Sequence, residues 1–426
     1  MPKQTAPAQF PPIPASVGFE LERLRAPGQE YGGRLTPAQI EHLLRSVPGS
    51  RRAASGVLIP VDEERSFHLT RILPVVRPGM TPEDFLYYPI CTPNEVARLR
   101  EIKSAHDYLL LLRAKCIADD PRFLRVMESR REAWEGKGRF WSLSDYYASL
   151  NQAPKRYIGR LSRANKKLVR TIPFGYSAVR EVNAICMRSL VGDVVTVSEM
   201  LREFYYFFVI CVTGENHGIA AEDYMTSGLI AIRIMTGGES QDFDLDPRCE
   251  PPSKLEAELR GQVDAMLEFT YGHEFSHQLL GHLDSAESVD DIIQYSCDRE
   301  FAADRTAVLN VLDRKARKRI AKGAYMVLFA LHFIDEIAAA RAEVPRFSGS
   351  STHPAPIDRI WALHRALGAS DALREGAILR DLATITAVTS AIIERLKELR
   401  PDMLTFYGSL YLGGLGGKFR QDRIDF

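Results

Sequence analysis

The segment Leu267–Leu283 reads LEFTYGHEFSHQLLGHL, and it decides how the whole chain is interpreted. On an α-helix, residues four apart lie nearly one above the other, so His273 and His277 project their imidazoles from one face. That spacing allows both rings to bind one zinc ion at about 2.0–2.1 Å. Glu274 is rotated by about 100° from His273. It is therefore placed to take a proton from water rather than to bind metal, and the segment predicts a hydrolytic metal site on a helix.

A catalytic zinc ion needs three protein ligands and one open position, so a third ligand must come from elsewhere. The next predicted helix contains CDREFAAD, in which Glu300 and Asp304 are four residues apart and share a face. One of these carboxylates could bind the metal while the other accepts the remaining N–H of a histidine ligand. Other side chains compete for the third position, namely Cys297, Asp298 and Asp284. A thiolate is the weakest of these alternatives, because thiolate-rich zinc sites are typically structural.

These motifs resemble a known group of enzymes. HEFSH followed by EFAAD is similar to the HExxH…ExxxD pattern of the gluzincin metallopeptidases, and especially to the family of the CAAX prenyl proteases and bacterial heat-shock membrane proteases. STHPAP at residues 351–356, followed by Arg359-Ile360, resembles the S-T-H-P-P…R-I segment of that family, although the second proline is displaced. The resemblance covers roughly residues 260–365. HEFSHQLLGH also resembles, more weakly, the cytosolic phage-exclusion Lit-type peptidases.

The resemblance implies a role for each matching residue. It implies that the zinc ligands are His273, His277 and Glu300. It implies that Glu274 is the general base and that Asp304 supports a ligand imidazole from behind.

Four further residues have two possible roles each. His353 could donate a hydrogen bond to the oxyanion of the reaction or hold a loop. Arg359 could orient a reacting group, but an ordinary salt bridge is favoured. Tyr271 fits packing better than a role at the site. His282 lies five residues beyond His277, a rotation of about 140° along a continuing helix, so we expect it to point away from the metal.

Composition excludes several classes of protein. Lysine plus arginine equals aspartate plus glutamate at 55 each, so no net charge favours nucleic acid or an anionic membrane. The basic segment Lys155–Arg170 could dock an acidic or phosphate-rich partner, but a solvated helix face is favoured. The start lacks the apolar core of a secretory signal, and no apolar run reaches the roughly 18–20 residues of a membrane span. Six scattered cysteines without a CxxC pair indicate reduced thiols, and therefore a cytoplasmic protein.

The pattern along the chain predicts a mainly α (α+β) protein. We expect a flexible proline-rich arm over 1–30, a mostly helical N-terminal domain of unknown role over 31–195, and a zincin-like domain with a small sheet and an active-site helix over 196–426. Period-two alternation in Gly228–Met235 predicts a strand that could pair with an extended substrate, flanked by an acidic loop over 239–246. Helices are expected at about 254–284, 290–314, 318–343, 356–367 and 371–399.

These observations together predict a zinc-dependent metalloendopeptidase that acts on a protein or peptide substrate. The alternative is a non-catalytic protein in which zinc staples helices together for partner binding. A fourth protein ligand would favour the staple, whereas an open fourth position would favour catalysis.

Overall fold

The structure is a computed structural model, and it describes residues 34–53, 56–60, 66–70, 87–179, 181–239, 253–283, 289–346, 353–399, 402–405 and 410. The chain forms two compact units. The first comprises Met1–Glu101 and Ile117–Leu143, and the second comprises Ile102–Cys116 and Ser144–Phe426. The predicted arm over 1–30 lies outside the described residues.

The first unit combines a small sheet with helices. Its three antiparallel strands, in the order β1-β2-β3, are Arg51–Ala53, Gly56–Pro60 and Ser66–Leu69. Helix α1 (Pro37–Ser46) packs Leu43 against Val57, Ile59 and Leu69 from these strands. Two more helices belong to this unit, α2 (Pro93–Arg100) and α4 (Pro121–Glu135).

Helix starts in this region follow from their capping residues. Thr36 and Thr92 each cap a helix through a complete capping box, with proline at the first helical position. The segment that follows Thr92 forms two helices, α2 and α3 (Ala105–Ala118). Ser104 accepts a hydrogen bond from the backbone of Asp107 at 3.3 Å and starts the second helix.

The second unit is built around helix α10 (Ser253–Leu279), which carries the two motif histidines. It is buried on nearly every side from Val263 to Ser276, so its neighbours surround it. The helices of this unit that lie against it are α6 (Gln152–Gly159), α7 (Arg163–Val169), α8 (Glu199–Thr213), α11 (Val289–Leu309) and α12 (Arg314–Ala340). Among its described residues, the unit also contains five helices that lie farther from α10: α5 (Leu143–Leu150), α9 (Ala221–Met235), α13 (Pro356–Asp371), α14 (Glu375–Glu398) and the short α15 (Asp402–Thr405).

A second three-stranded sheet lies beside α10. Strands β4 (Phe174–Ser177) and β6 (Gly192–Ser198) are parallel, and β5 (Ala184–Ser189) pairs with β6 in antiparallel orientation. The order β4-β6-β5 makes β5 an edge strand, and both β5 and β6 contact α10. Helix α8 starts at Glu199, directly after β6, because the Ser198 side chain caps it by accepting from the backbone of Met200.

The predicted strand over Gly228–Met235 is wrong, because these residues form the end of helix α9. Every residue from Ser227 to Met235 is buried, so the apparent alternation of isoleucines reflects a segment that is covered on all sides. A short continuous apolar run does not distinguish a buried helix from a strand. Gly228 lies against Ile392 of α14 and within 2.8 Å of the Cys211 sulfur as measured from a built Cβ, which is helix-to-helix packing. Of the predicted acidic loop, Glu239 is buried in an ion pair with Arg233 and the rest lies outside the described residues.

Within the part of the chain that the structure describes, two helices are long and apolar enough to cross a bilayer by length and composition. In α12 the apolar window is 67% buried inside the protein, and in α14 it is 22% buried. A core helix of a soluble protein passes the same test, and the burial of α12 fits that reading. The predicted absence of a membrane span therefore stays a prediction, as does the cytoplasmic location.

The fold class predicted from the sequence is confirmed: the protein is mainly helical, and its described residues include two small sheets. The predicted helices over the C-terminal half are found with ends that shift by a few residues. The boundary at residue 195 stays a prediction.

The crossing of α10 and α12 generates a stability prediction. A Cβ at Gly323 would overlap the backbone carbonyl of Ala265, so Gly323→Ala should destabilise the protein by about 1–3 kcal/mol through overpacking. Gly261→Ala is the control, because Gly261 lies on α10, the other helix of the crossing, and no atom lies within 4 Å of its built Cβ. Helix propensity should make this variant more stable by about 0.5–1 kcal/mol. Thermal and urea unfolding measure both changes. Equal effects of the two substitutions would contradict the close approach of the helices.

Candidate metal centre

The two motif histidines face each other on α10. His273 and His277 are one helical turn apart, and their Nε2 atoms are 3.1 Å apart. Both side chains are largely buried, with exposed fractions of 10% and 16%. The four-residue spacing therefore produces the convergence that the sequence predicts.

Glu300 of α11 completes a three-membered group. Its carboxylate oxygens are 3.4 Å from His273 Nε2 and 3.4 Å from His277 Nε2. The three ligand atoms lie within 4.8 Å of one another. Ligands placed about 2.0–2.1 Å from a tetrahedral zinc ion are about 3.3 Å apart, so these separations fit a divalent cation. Two nitrogens and one carboxylate oxygen are also a donor set that zinc favours.

Asp304 and Arg359 hold the group from behind. Asp304 Oδ1 is 2.9 Å from His273 Nδ1, so the carboxylate accepts the N–H that the ligand nitrogen does not use. Arg359 of α13 donates to both Asp304 oxygens at 2.7 and 2.8 Å, and its Nη1 lies 3.3 Å from Glu300. This forked ion pair fixes the Asp304 carboxylate, because a guanidinium matches both oxygens at once.

The charges of the site favour a cation between the ligands. Burial opposes a charge on His273, but the neighbouring carboxylates of Glu300 and Asp304 outweigh it and raise its pKa to about 10. Burial and the adjacent His273 lower the pKa of His277 to about 3. Although burial opposes it, His273 and Arg359 hold the pKa of Glu300 well below its usual value. The carboxylates thus create a strongly negative field at the point where the two imidazole nitrogens meet.

Glu274 lies beside the group without joining it. Its side chain is buried, and burial raises its pKa to about 7. The backbone of Cys186, on edge strand β5, approaches this carboxylate and acts in the opposite direction, lowering its pKa. A carboxylate with a pKa near neutrality is well matched to accept and return a proton.

A cavity of about 100 Å³ opens next to these residues. Its polar wall contains His273, Glu274, Glu300, His353 and Arg359. His353 lies at the exposed side of the cavity, and burial lowers its pKa. The structure thus brings His353 to the candidate site, as the sequence predicts, while Ser351 and Thr352 of the same motif lie outside the described residues.

His282 is not a member of the metal group, as expected for a non-ligand, but it lies closer to the site than the sequence predicts. Its Nδ1 lies 2.9 Å from Nδ1 of His277, and the two ring centroids are 5.1 Å apart. The prediction assumed that the helix continues, but α10 ends at Leu279 and the chain turns at Gly281, where φ is 69°. The glycine at that position is the available signal for the turn.

The competing candidates lie outside the metal group. Within the part of the chain that the structure describes, the group contains neither Cys297 nor Asp298, and Asp284 falls outside that part. Tyr271 packs edge-on against Tyr176 with 6.0 Å between ring centroids, which agrees with a packing role. The backbone contact from Cys186 was not predicted, because no side-chain pattern encodes it.

Comparison with known proteins agrees with this site. Residues 261–375 match the family model described as Peptidase U49, and this range, about a quarter of the chain, contains every predicted site residue. The match supports a peptidase. No curated protein and no solved structure matches the chain. The gluzincin and CAAX-type affiliations stay predictions.

The contact between Asp304 and His273 generates a prediction about metal affinity. Asp304→Asn keeps the size of the side chain but removes the charge that polarises the imidazole, so zinc affinity should fall by about 10–100-fold. Competition with a chromogenic chelator measures the affinity. Asp298→Asn is the control on the same helix, because Asp298 is exposed and outside the group. Unchanged affinity in Asp304→Asn would show that this hydrogen bond does not support the ligand.

Proposed function

We propose that this protein is a zinc-dependent metallopeptidase that hydrolyses internal peptide bonds of a protein or peptide substrate. The observation that carries the proposal is the group formed by His273, His277 and Glu300, with the buried Glu274 beside it in a cavity. The Peptidase U49 match supports the peptidase part independently of the geometry.

The number of ligands favours catalysis over a structural staple. Among the described residues the metal group has three members, and no fourth His, Cys, Asp or Glu side chain joins them. Catalytic zinc sites keep one position for water or substrate, whereas structural sites use four protein ligands. The cavity beside the group provides room for a substrate at that position.

The residues of the chain divide the chemical work. When bound, zinc supplies Lewis acidity that polarises the scissile carbonyl and eases loss of a proton from the attacking water. Glu274 takes that proton and delivers it to the leaving amine, and its environment keeps its pKa near neutrality for both transfers. His353, which lines the same cavity, donates to the oxyanion that develops on the carbonyl oxygen. Arg359 and Asp304 keep the ligands in place during the reaction.

The free edge of strand β5 is the proposed binding site for the substrate backbone. Ser198 N donates to Asn183 O at 2.8 Å, so the polar groups of Asn183 face β6. Since these groups alternate along an antiparallel strand, those of Ala184, Cys186 and Arg188 face outward. The approach of the Cys186 backbone to Glu274 agrees with this alternation and puts the outer edge of β5 beside the catalytic carboxylate. An extended peptide that adds to this edge would bring its carbonyl to the metal group. The edge-strand role that was predicted for Gly228–Met235 is thus proposed for β5.

We also propose that the cavity selects an apolar substrate side chain. Much of its lining is apolar, from Leu201, Phe204, Met235, Phe269, Val327 and Leu331. An apolar cavity of roughly 150 Å³ accommodates benzene, so this one, at about 100 Å³, suits a single aliphatic side chain next to the scissile bond.

Replacement of the proposed base tests the function most directly. Glu274→Gln should bind zinc as the wild type does, while peptide hydrolysis falls by roughly 10²–10⁴-fold, the contribution typical of general acid–base catalysis. Metal analysis and cleavage of a peptide library measure the two properties. Glu258→Gln is the matched control, because Glu258 lies on the same helix and is 50% exposed. Full hydrolysis by Glu274→Gln would refute the proposed mechanism.

Two proline substitutions test whether the substrate pairs with the edge of β5. Ala184→Pro removes an outward-facing N–H, which donates to Asn183 Oδ1 at 2.8 Å before a substrate binds, and its ring blocks approach to the edge. KM for peptide substrates should therefore rise while the sheet persists. Arg188→Pro makes the same backbone change on the same strand, four residues from the cavity-lining Ala184. Steady-state kinetics should show a larger KM for Ala184→Pro than for Arg188→Pro. Equal KM values would exclude pairing of the substrate with this edge.

A further inference from the structure

The end of helix α10 returns the chain towards the metal group. His282 N donates to His277 O at 2.9 Å, and Gly281 adopts the left-handed conformation with φ of 69°. This hydrogen bond across five residues, with glycine before its donor, is the common way in which a helix terminates. On a continuing helix the side chain of His282 would point away from His277, and the turn at Gly281 changes that orientation. It therefore sets the imidazole of His282 beside that of His277.

The contact between the two rings determines which nitrogen carries each proton. His277 Nε2 faces the metal group, since it is 3.1 Å from His273 Nε2 and 3.4 Å from Glu300 Oε1. A nitrogen that binds metal must be unprotonated, so the proton of a neutral His277 lies on Nδ1. That N–H points at His282 Nδ1 over 2.9 Å, which makes His282 the acceptor and leaves its own proton on Nε2.

We propose that His282 is a positioning residue for the metal site: it accepts the Nδ1–H of His277 and thereby holds Nε2 of His277 towards the metal. This inference rests on the proposed metal centre. His282 does not bind the metal itself, because the ligand group consists of His273, His277 and Glu300 among the described residues.

The arrangement gives each imidazole ligand its own support. His273 donates to the Asp304 carboxylate, whereas His277 donates to the neutral ring of His282. A ligand histidine generally needs such an acceptor to keep its tautomer and its orientation. Without His282, the described contacts of His277 Nδ1 would contain no acceptor, and the ring could rotate about its χ2 torsion.

The supporting turn is also connected to the helix of the third ligand. Arg299 Nη1 donates to His282 O at 3.2 Å, and Arg299 precedes Glu300 on α11. The position of His282 is therefore tied to the same helix that supplies the carboxylate ligand. A shift of α11 would move the acceptor and the carboxylate together.

Two substitutions separate hydrogen bonding from packing. His282→Leu keeps the approximate bulk and removes the acceptor. In His282→Asn, the carbonyl oxygen is attached to Cγ, the same atom that carries Nδ1 in histidine, so the acceptor is retained. Gln278→Leu is the control, because it also replaces a half-buried polar side chain by leucine in the last turn of α10. Zinc affinity is measured by chelator competition on the full-length protein.

Zinc affinity should fall by about 10–100-fold in His282→Leu and remain close to that of the wild type in His282→Asn and Gln278→Leu. Proton NMR of the zinc-loaded protein provides a second measurement. The downfield Nδ1–H signal of His277 should be present in the wild type and in His282→Asn, and should be lost to exchange in His282→Leu.

Three results would overturn the proposal. If all the variants bind zinc as the wild type does, His282 does not position the ligand, although the proposed metal centre stands. If His282→Asn is weakened as much as His282→Leu, packing rather than the hydrogen bond is responsible. If the wild type itself binds no zinc, the proposed function fails and the positioning role fails with it.

Discussion

The carboxylate of Asp304 is the interaction on which the candidate site depends. It lies on α11, accepts a hydrogen bond from His273 of α10, and forms a two-pronged ion pair with Arg359 of α13. One buried side chain therefore joins three helices that are separated along the sequence. Removing one partner of a buried ion pair costs about 3–5 kcal/mol, because the remaining charge is left uncompensated. A change in the relative position of the helices, and hence of Glu300 and the imidazoles, therefore requires a large free energy.

The parts of the site that the sequence predicts are those fixed by local helical geometry. The four-residue spacings of His273 with His277, and of Glu300 with Asp304, place each pair on one face whatever the surrounding fold is. The helix–loop–helix connection then needs only to bring two such faces together. Capping boxes at Thr36 and Thr92 were predictable for the same reason, because a cap involves residues three apart.

The features that were not predicted depend on contacts distant in sequence or on where a helix stops. The isoleucines of Gly228–Met235 alternate in sequence as in a strand, yet this segment is a helix. It is buried and packs against α8 and α14, so its apolar residues do not have to lie on one face. His282 approaches His277 only because Gly281 ends the helix. The approach of the Cys186 backbone to Glu274 requires a sheet beside α10, and a side-chain motif carries no information about backbone groups. In each case the local pattern is compatible with two structures, and tertiary packing selects one.

The residues on the rear face of α10, within and just before the HEFSH segment, have a structural role, and this role explains how the catalytic face stays in place. Gly272 lies directly against the ring of Tyr157, where a built Cβ would be 2.6 Å from the ring, and Phe275 stacks on the same tyrosine. One turn earlier, the fully buried Glu268 forms ion pairs with three arginines, Arg156, Arg160 and Arg319. The rear of α10 is thus held by close packing and by a neutralised buried charge. Because the imidazoles leave the opposite face of the same rigid helix, a substitution on the rear face would displace the metal ligands without touching the metal.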